Sequence, residues 1–186
     1  MLDWNERHRA GPTDSAASPL LIRAVSGEHP GQALDLACGG GRNAVFLAAQ
    51  GWMVTAVDSS EVAIEQIQAR VGREHLAIQA VLADLERRDF EIREQSFDLI
   101  CNIFYLQRSL FPAIRVALRQ GGLFVGSIHM EDSDPSVKAM NRSFLLRSGE
   151  LRHEFEGWEV LHNQERRPAP GKRLVAELIA RKPGAK

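Results

Sequence analysis

Ala33 to Gln50 reads ALDLACGGGRNAVFLAAQ. Its first part, Ala33 to Cys38, is an apolar run broken by one carboxylate, Asp35, as in a strand buried inside a parallel sheet. Gly39, Gly40 and Gly41 follow. Glycine reaches positive φ without a Cβ clash and lets another molecule approach the backbone closely. Asn43 to Ala49 then has helical composition and spacing, with Gly51 as its stop. Strand, glycine turn and helix together aim N–H groups and a helix N-terminus at one point, which suits a negatively charged group of a nucleotide-like ligand. Gly39 to Ala44 also fits the dinucleotide pattern G-x-G-x-x-G/A, but a lone match of this kind does not choose the cofactor.

Outward from this stretch the same alternation repeats. Met53 to Asp58 reads as a buried strand ending in an acid, followed by Ser59 and Ser60 as N-caps and a helix over Glu61 to Arg73 with Val62, Ile64, Ile67 and Val71 on its apolar face. Ala77 to Asp84 is a third strand, also ending in an acid. A charged connection, Leu85 to Gln95, leads to a fourth strand, Phe97 to Phe104. Ser109 to Arg119 predicts a helix stopped by Gly121-Gly122, and Leu123 to Ile128 a fifth strand. Trp158 to Glu165 and Arg173 to Ala180 have strand character, and the Pro168-Ala169-Pro170-Gly171 turn between them makes a closing antiparallel hairpin. Ahead of the first strand a helix starts near Ser18, with Pro19 at its first position. Strands alternating with helices imply right-handed crossovers and a parallel sheet covered on both faces. Lys182 to Lys186 should fray.

At 186 residues this is one domain, 1–186, with room for a sizeable core. A net charge of −1 gives no global attraction to nucleic acid or to an anionic membrane. The pairs Arg87-Arg88 and Arg166-Arg167 read as solvated loop positions. No apolar run has membrane-spanning length, and the polar N-terminus MLDWNERHRAG is not a secretory signal, so the chain reads as cytoplasmic. Cys38 and Cys101 lack metal-ligand spacing and fall in predicted buried strands, where they act as small core hydrophobes; no metal site is expected.

Asp58 stands nineteen residues after Gly39, about the distance at which a carboxylate meets ribose hydroxyls in nucleotide-binding α/β folds. Asp84 ends the next strand at the same sheet edge. Asp35, Asp58 and Asp84 therefore converge on the glycine turn. With Asp35 four positions ahead of Gly39, and Gly41 after it, the turn resembles motif I of the class I S-adenosylmethionine-dependent methyltransferases. VTAVD (54–58) resembles that family's ribose-binding strand, VLADL (81–85) its adenine-binding strand, SFDLICNIF (96–104) its fourth motif. RQGGLFVGSI (119–128) looks like its LxPGG-L turn, with Gln120 in place of proline. The resemblance covers nearly the whole chain. It implies a Rossmann-like doubly wound, mostly parallel seven-stranded sheet with the antiparallel closing hairpin, and S-adenosyl-L-methionine as cofactor. A cofactor carrying a carboxylate, an ammonium and a sulfonium needs acceptors as well as donors, and Asp35 helps supply them. By the same resemblance Ala37, Gly39, Gly41 and Ser59 line the site, and Asp58 takes both ribose hydroxyls. Asp84 with the backbone of Leu85 holds the adenine edge. Asn102 and Phe104, past the fourth strand, face the methionine part and the transferred methyl.

Trp4-Asn5-Glu6-Arg7-His8 followed by Ser18-Pro19-Leu20-Leu21 is similar to the opening of small methyltransferases of the tellurite-resistance and thiopurine-methyltransferase type, with His8 where tyrosine is usual. The implied acceptor is a small molecule, such as a thiol or another soft nucleophile. Trp4, Arg7 and Tyr105 are its candidate contacts, and residues 1–17 a lid over it. His129 and His8 are the candidate bases for an acceptor that must lose a proton. The fourth motif lacks the N/D-P-P-Y of enzymes that hold a flipped base, and no basic stripe compensates, so a nucleic-acid substrate is disfavoured. Two rivals stand beside this reading: a non-catalytic domain that binds S-adenosylmethionine, and a nicotinamide-dependent reductase, which lacks a second βαβαβ unit and a Tyr-x-x-x-Lys pair.

Overall fold

A computed structural model of the chain describes residues 4–9 and 16–184. Helices α1 (Trp4–Arg9) and α2 (Pro19–Val25) precede strand β1 (Gln32–Leu36). Then come α3 (Arg42–Ala49), β2 (Met53–Asp58), α4 (Glu61–Glu74), β3 (Ile78–Leu82) and β4 (Phe97–Ile103). The second half holds α5 (Leu110–Ala117), β5 (Leu118–His129), α6 (Glu150–Glu154), β6 (Glu159–Arg166) and β7 (Val175–Arg181).

The strands form one sheet in the order β3-β2-β1-β4-β5-β7-β6. β1 runs parallel to β2 and β4, β2 to β3, and β4 to β5, while β7 is antiparallel to both β5 and β6. This is the expected doubly wound, mostly parallel sheet with its closing hairpin. The order runs outward from β1 to β3, then returns to β4 on the other side of β1. Such a reversal opens a crevice beyond the C-terminal ends of the two central strands. The antiparallel β7 wedged between β5 and β6 also separates this sheet from the 3-2-1-4-5-6 order of dinucleotide-binding folds.

Period-2 alternation divides the core between the two faces. Ala33, Cys101 and Val125 pack with α2, α3 and α4 through Leu21, Leu47, Ile64 and Ile67. Leu34, Leu36, Ile100 and Phe124 pack with α5 and α6 through Phe111, Ile114, Leu151 and Phe155. Ser60 caps α4 by accepting from Ala63 N at 3.2 Å, as its position predicts. Cys38 and Cys101 are free thiols buried in the core. No helix among the described residues is long and apolar enough to cross a membrane.

Three expectations are corrected. The helix read to Arg119 stops at Ala117, and β5 begins at Leu118, because the backbone there pairs with Phe97 of β4. Arg119 instead meets Asp98 at 2.6 Å. Lys182 does not fray: its Nζ donates to the carbonyls of Arg115 and Leu118 at 2.6 and 2.7 Å, capping the C-terminus of α5. Arg166 and Arg167 are not merely solvated loop positions, since Arg166 pairs with Glu177 and Arg167 with Asp132. Apart from Arg166–Glu177, which meet across the β6-β7 hairpin, each correction involves a partner far away in sequence.

Candidate functional site

The turn after β1 winds through three left-handed residues, Ala37 at φ +51°, Gly39 at +54° and Gly41 at +78°. Cys38 N bonds Val57 O at 3.0 Å and Gly41 N bonds Cys38 O at 3.1 Å, so the turn is stitched to β2 and closed on itself. The glycines serve different neighbours. A Cβ on Gly41 would lie 2.5 Å from Ile67 Cγ1, so that position lets α3 approach α4. A Cβ on Gly39 would lie 3.2 Å from His8 Cε1, so that position lies under the N-terminal helix. Ala37 is a left-handed residue with a side chain, and Phe104, directly after β4, is another at φ +63°. Strain of this kind clusters at binding sites, and here it marks the ends of the two central strands.

Asp58 ends β2 and is the pivot of the turn. Its Oδ2 accepts from Gly39 N at 2.8 Å and its Oδ1 from Ser60 N at 2.9 Å. A carboxylate has about four lone-pair sites, so two remain for hydroxyl donors. Ser59, between these partners, is exposed. Asp84 follows β3 and engages its own loop: Oδ1 accepts from Glu86 N at 2.9 Å and Oδ2 pairs with Arg87. Leu85 is buried, and its carbonyl accepts from Gln107 Nε2 at 3.0 Å. The Tyr105 hydroxyl donates to Gln107 Oε1 at 2.6 Å. Burial, then the carboxylates of Glu86, Asp84 and Asp58, raise the Tyr105 pKa, so the phenol stays neutral at physiological pH. Tyr105 thus lies within electrostatic reach of both acids.

Asp35 is 1 % exposed and lies behind the turn. Cys101 Sγ–H donates to its Oδ1 at 3.1 Å, and its Oδ2 has no hydrogen-bond partner within the chain. Burial pushes its pKa up to about 7, with Asp58 adding to the rise; Cys101 and the first turn of α3 oppose it. Between the ordinary value of 3.8 and about 7, the folded chain holds a proton that the unfolded chain has lost. Stability therefore falls as pH rises through that window, and the whole cost is present above it. Urea unfolding should show Asp35→Asn gaining on the parent protein between pH 4 and pH 8 by roughly 4 kcal/mol, at about 1.4 kcal/mol per unit. A difference that does not change with pH would show that Asp35 is ionised throughout.

Asn102 is a correction of place. It lies within β4 rather than past it, paired with Leu36 and Gly126, fully buried, and both its amide atoms lack a partner within the chain. Phe104 does lie past β4. It is half exposed, its N–H reaches Ser127 O at 2.7 Å, and its ring stacks on His129 with centroids 4.8 Å apart. His129 is the last residue of β5.

Of residues 1–17, residues 4–9 and 16–17 are described; residues 1–3 and 10–15 and the Arg7 side chain lie outside the described residues. Helix α1 packs on α4. Asn5 Oδ1 accepts from Ser60 Oγ at 2.7 Å and from Val62 N at 3.4 Å, and His8 O accepts from Gln66 Nε2 at 3.1 Å. This places the His8 ring over Gly39, while Trp4 is exposed. Sequence reasoning passed over Asn5, Gln107 and the Cys101 thiol. Their partners lie 55, 22 and 66 residues away, and no local pattern signals such contacts.

Orphaned buried polar atoms, an acid with acceptor capacity left and strained residues all meet at the switch point of this sheet, and together they fit a cofactor that carries hydroxyls and a cation. The architecture is that of the S-adenosylmethionine-dependent methyltransferases. Residues 11–169 match the family described as "Tellurite resistance protein TehB", and the chain belongs to that family. The Haemophilus influenzae protein named "Probable S-adenosyl-L-methionine-dependent methyltransferase TehB" is 28% identical over 154 residues, covering 78% of this chain and 52% of that one. The crystal structure of Haemophilus influenzae TehB superposes with a TM-score of 0.79 at 24% identity, covering 97% of this chain and 67% of that one. "Hemagglutinin 1" of Eikenella corrodens is 28% identical over 195 residues, covering 97% of this chain and 63% of that protein. The chain thus spans between half and two thirds of the length of these two curated relatives. The Burkholderia thailandensis 1,6-didemethyltoxoflavin-N1-methyltransferase, solved with 1,6-didemethyltoxoflavin and S-adenosylhomocysteine, gives a TM-score of 0.70 at 23% identity, covering 96% and 84%.

Proposed function

We propose that this chain is a cytoplasmic S-adenosylmethionine-dependent methyltransferase acting on a small-molecule acceptor. The observation that carries the reading is the Asp58 carboxylate, which grips the Gly39 N–H at the C-terminal edge of the sheet and keeps acceptor capacity for ribose hydroxyls. Bound S-adenosylmethionine supplies a sulfonium methyl for in-line attack by a nucleophile. The chain supplies position and exclusion of water. Asp58 takes the ribose, and Asp84 with the Leu85 backbone takes the adenine edge. Asp35, Ala37, Gly39, Gly41, Ser59, Asn102 and Phe104 border the remainder. Tyr105 and Trp4 flank the acceptor.

A soft anionic acceptor attacks without a base. An amine or hydroxyl acceptor gives its proton to a positioned group, and His129 beside Phe104 and His8 over Gly39 are the two histidines near the crevice. A net charge of −1 supports a small acceptor over nucleic acid. So does the structural neighbour whose name gives it a small-molecule substrate.

Calorimetry with S-adenosylhomocysteine tests the cofactor. Asp58→Ala should weaken binding by roughly 1.5–3 kcal/mol, the value of hydrogen bonds to a charged group. Unchanged affinity in a folded Asp58→Ala protein removes the assignment. A panel of thiols, selenite, tellurite, quinols and amines then identifies the acceptor. No turnover across the panel, with cofactor bound, favours a regulatory cofactor-binding domain instead.

A further inference from the structure

Asn5 lies on a six-residue helix outside the sheet, yet it sits at one end of a continuous hydrogen-bonded chain that ends on the glycine turn. The Ser60 hydroxyl donates to Asn5 Oδ1 at 2.7 Å and accepts from Ala63 N at 3.2 Å. The Ser60 backbone N–H donates to Asp58 Oδ1 at 2.9 Å, and Asp58 Oδ2 accepts from Gly39 N at 2.8 Å. Asn5 Oδ1 also receives Val62 N at 3.4 Å. A residue of α1 thus shares with Ser60 the capping of α4. Ser60 in turn fixes the carboxylate proposed to read the ribose.

Ser60 is 1 % exposed, so its hydroxyl proton needs a partner inside the protein, and Asn5 provides it. Without that acceptor the hydroxyl must reorient toward another group, and the cap of α4 and the rotamer of Ser60 loosen together. A loosened Ser60 releases one of the two N–H groups that orient Asp58. Two further contacts hold α1 over the same place, Gln66 Nε2 on His8 O and the His8 ring over Gly39.

We infer that Asn5 is a positioning residue for the cofactor: through Ser60 it orients Asp58, and so couples docking of the N-terminal helix to recognition of the ribose. The inference rests on the cofactor reading above. Coupling of this kind is reciprocal, so cofactor binding tightens the docking of α1 by the same factor by which α1 tightens the cofactor.

Calorimetric titration with S-adenosylhomocysteine of the full chain, Asn5→Ala, Asn5→Asp and Asp58→Ala tests it, together with the Asn5→Ala/Asp58→Ala double variant. Asn5→Ala should bind about three- to tenfold more weakly, the range for one lost hydrogen bond. Asn5→Asp, which keeps an acceptor at the same place, should return to near the parent affinity. In the Asp58→Ala background Asn5→Ala should have less than about a twofold effect, because residues acting through one group are not additive. Ser60→Ala cuts the same chain in its middle and should reproduce the Asn5→Ala loss, which guards against an Asn5→Ala protein that is merely misfolded. Full affinity in both Asn5→Ala and Ser60→Ala, or equal losses with and without Asp58, overturns the inference and leaves the cofactor reading standing. A parent protein that binds no S-adenosylhomocysteine overturns both.

Discussion

Deleting residues 1–17 should leave a folded domain that still binds S-adenosylhomocysteine, more weakly, and the proposed methyl transfer should fall about 100-fold or more, the scale on which lost positioning and water exclusion are felt. The sheet and both cores are built from Leu20 onward, so the deletion removes no core strand or main packing helix. It does remove the Asn5 acceptor, the His8 ring above Gly39 and Trp4. On the proposed function, the crevice over the glycine turn would then stand open to water and the acceptor would lose one wall. Helix α1 has only six residues and is too short to hold its shape without tertiary contacts, so its docking is a low-stability, reversible event. Hydrogen exchange in residues 4–9 should therefore slow when S-adenosylhomocysteine is added. A truncated protein that transfers methyl groups at the full-length rate, or exchange there that ignores the ligand, makes the segment a tail and moves the acceptor site elsewhere.

Gly39→Val should weaken S-adenosylhomocysteine binding by about 100- to 1000-fold while the sheet stays folded. Two costs combine. A β-branched residue at φ +54° pays roughly 1–2 kcal/mol or more for the left-handed conformation, and the turn relaxes by rotating away from it. That rotation breaks the Gly39 N–H bond to Asp58, worth about 1.5–3 kcal/mol as a bond to a charged acceptor. The added Cβ also presses on His8 at 3.2 Å, which unseats α1. Gly27→Val is the control. Gly27 is left-handed at φ +83° with nothing within 4 Å of an added Cβ, so the same substitution there costs stability and spares binding. Equal binding by the two variants would mean that the Gly39 turn does not contact the cofactor.

The strand-turn-helix of Ala33 to Gln50, the acids at the ends of the next two strands and the alternation of the rest were all legible in the chain. Each is a local signal: apolar runs set strands, glycine sets positive φ, and turn residues set boundaries. Once these alternate, the handedness of crossovers leaves few topologies, and the ligand edge of the sheet follows. The cofactor class followed from resemblance: the glycine turn with Asp35 before it and Asp58 after the next strand resembles motif I and the ribose-binding strand of the S-adenosylmethionine-dependent methyltransferases.

Only the tertiary structure decided which glycine serves which neighbour, because Gly39 beneath His8 and Gly41 against Ile67 are distinguished by packing alone. It also decided the charge of Asp35: a carboxylate inside an apolar run could be solvated at an edge or sealed in the core. Burial is what moves its proton toward neutral pH, against the opposing hydrogen bond from Cys101. Asn5 and Lys182 look like ordinary surface polar residues in the sequence. Their roles arise because folding brings the N-terminus of α4 to one and the C-terminus of α5 to the other, and an unsatisfied helix end takes whatever donor or acceptor the fold puts beside it.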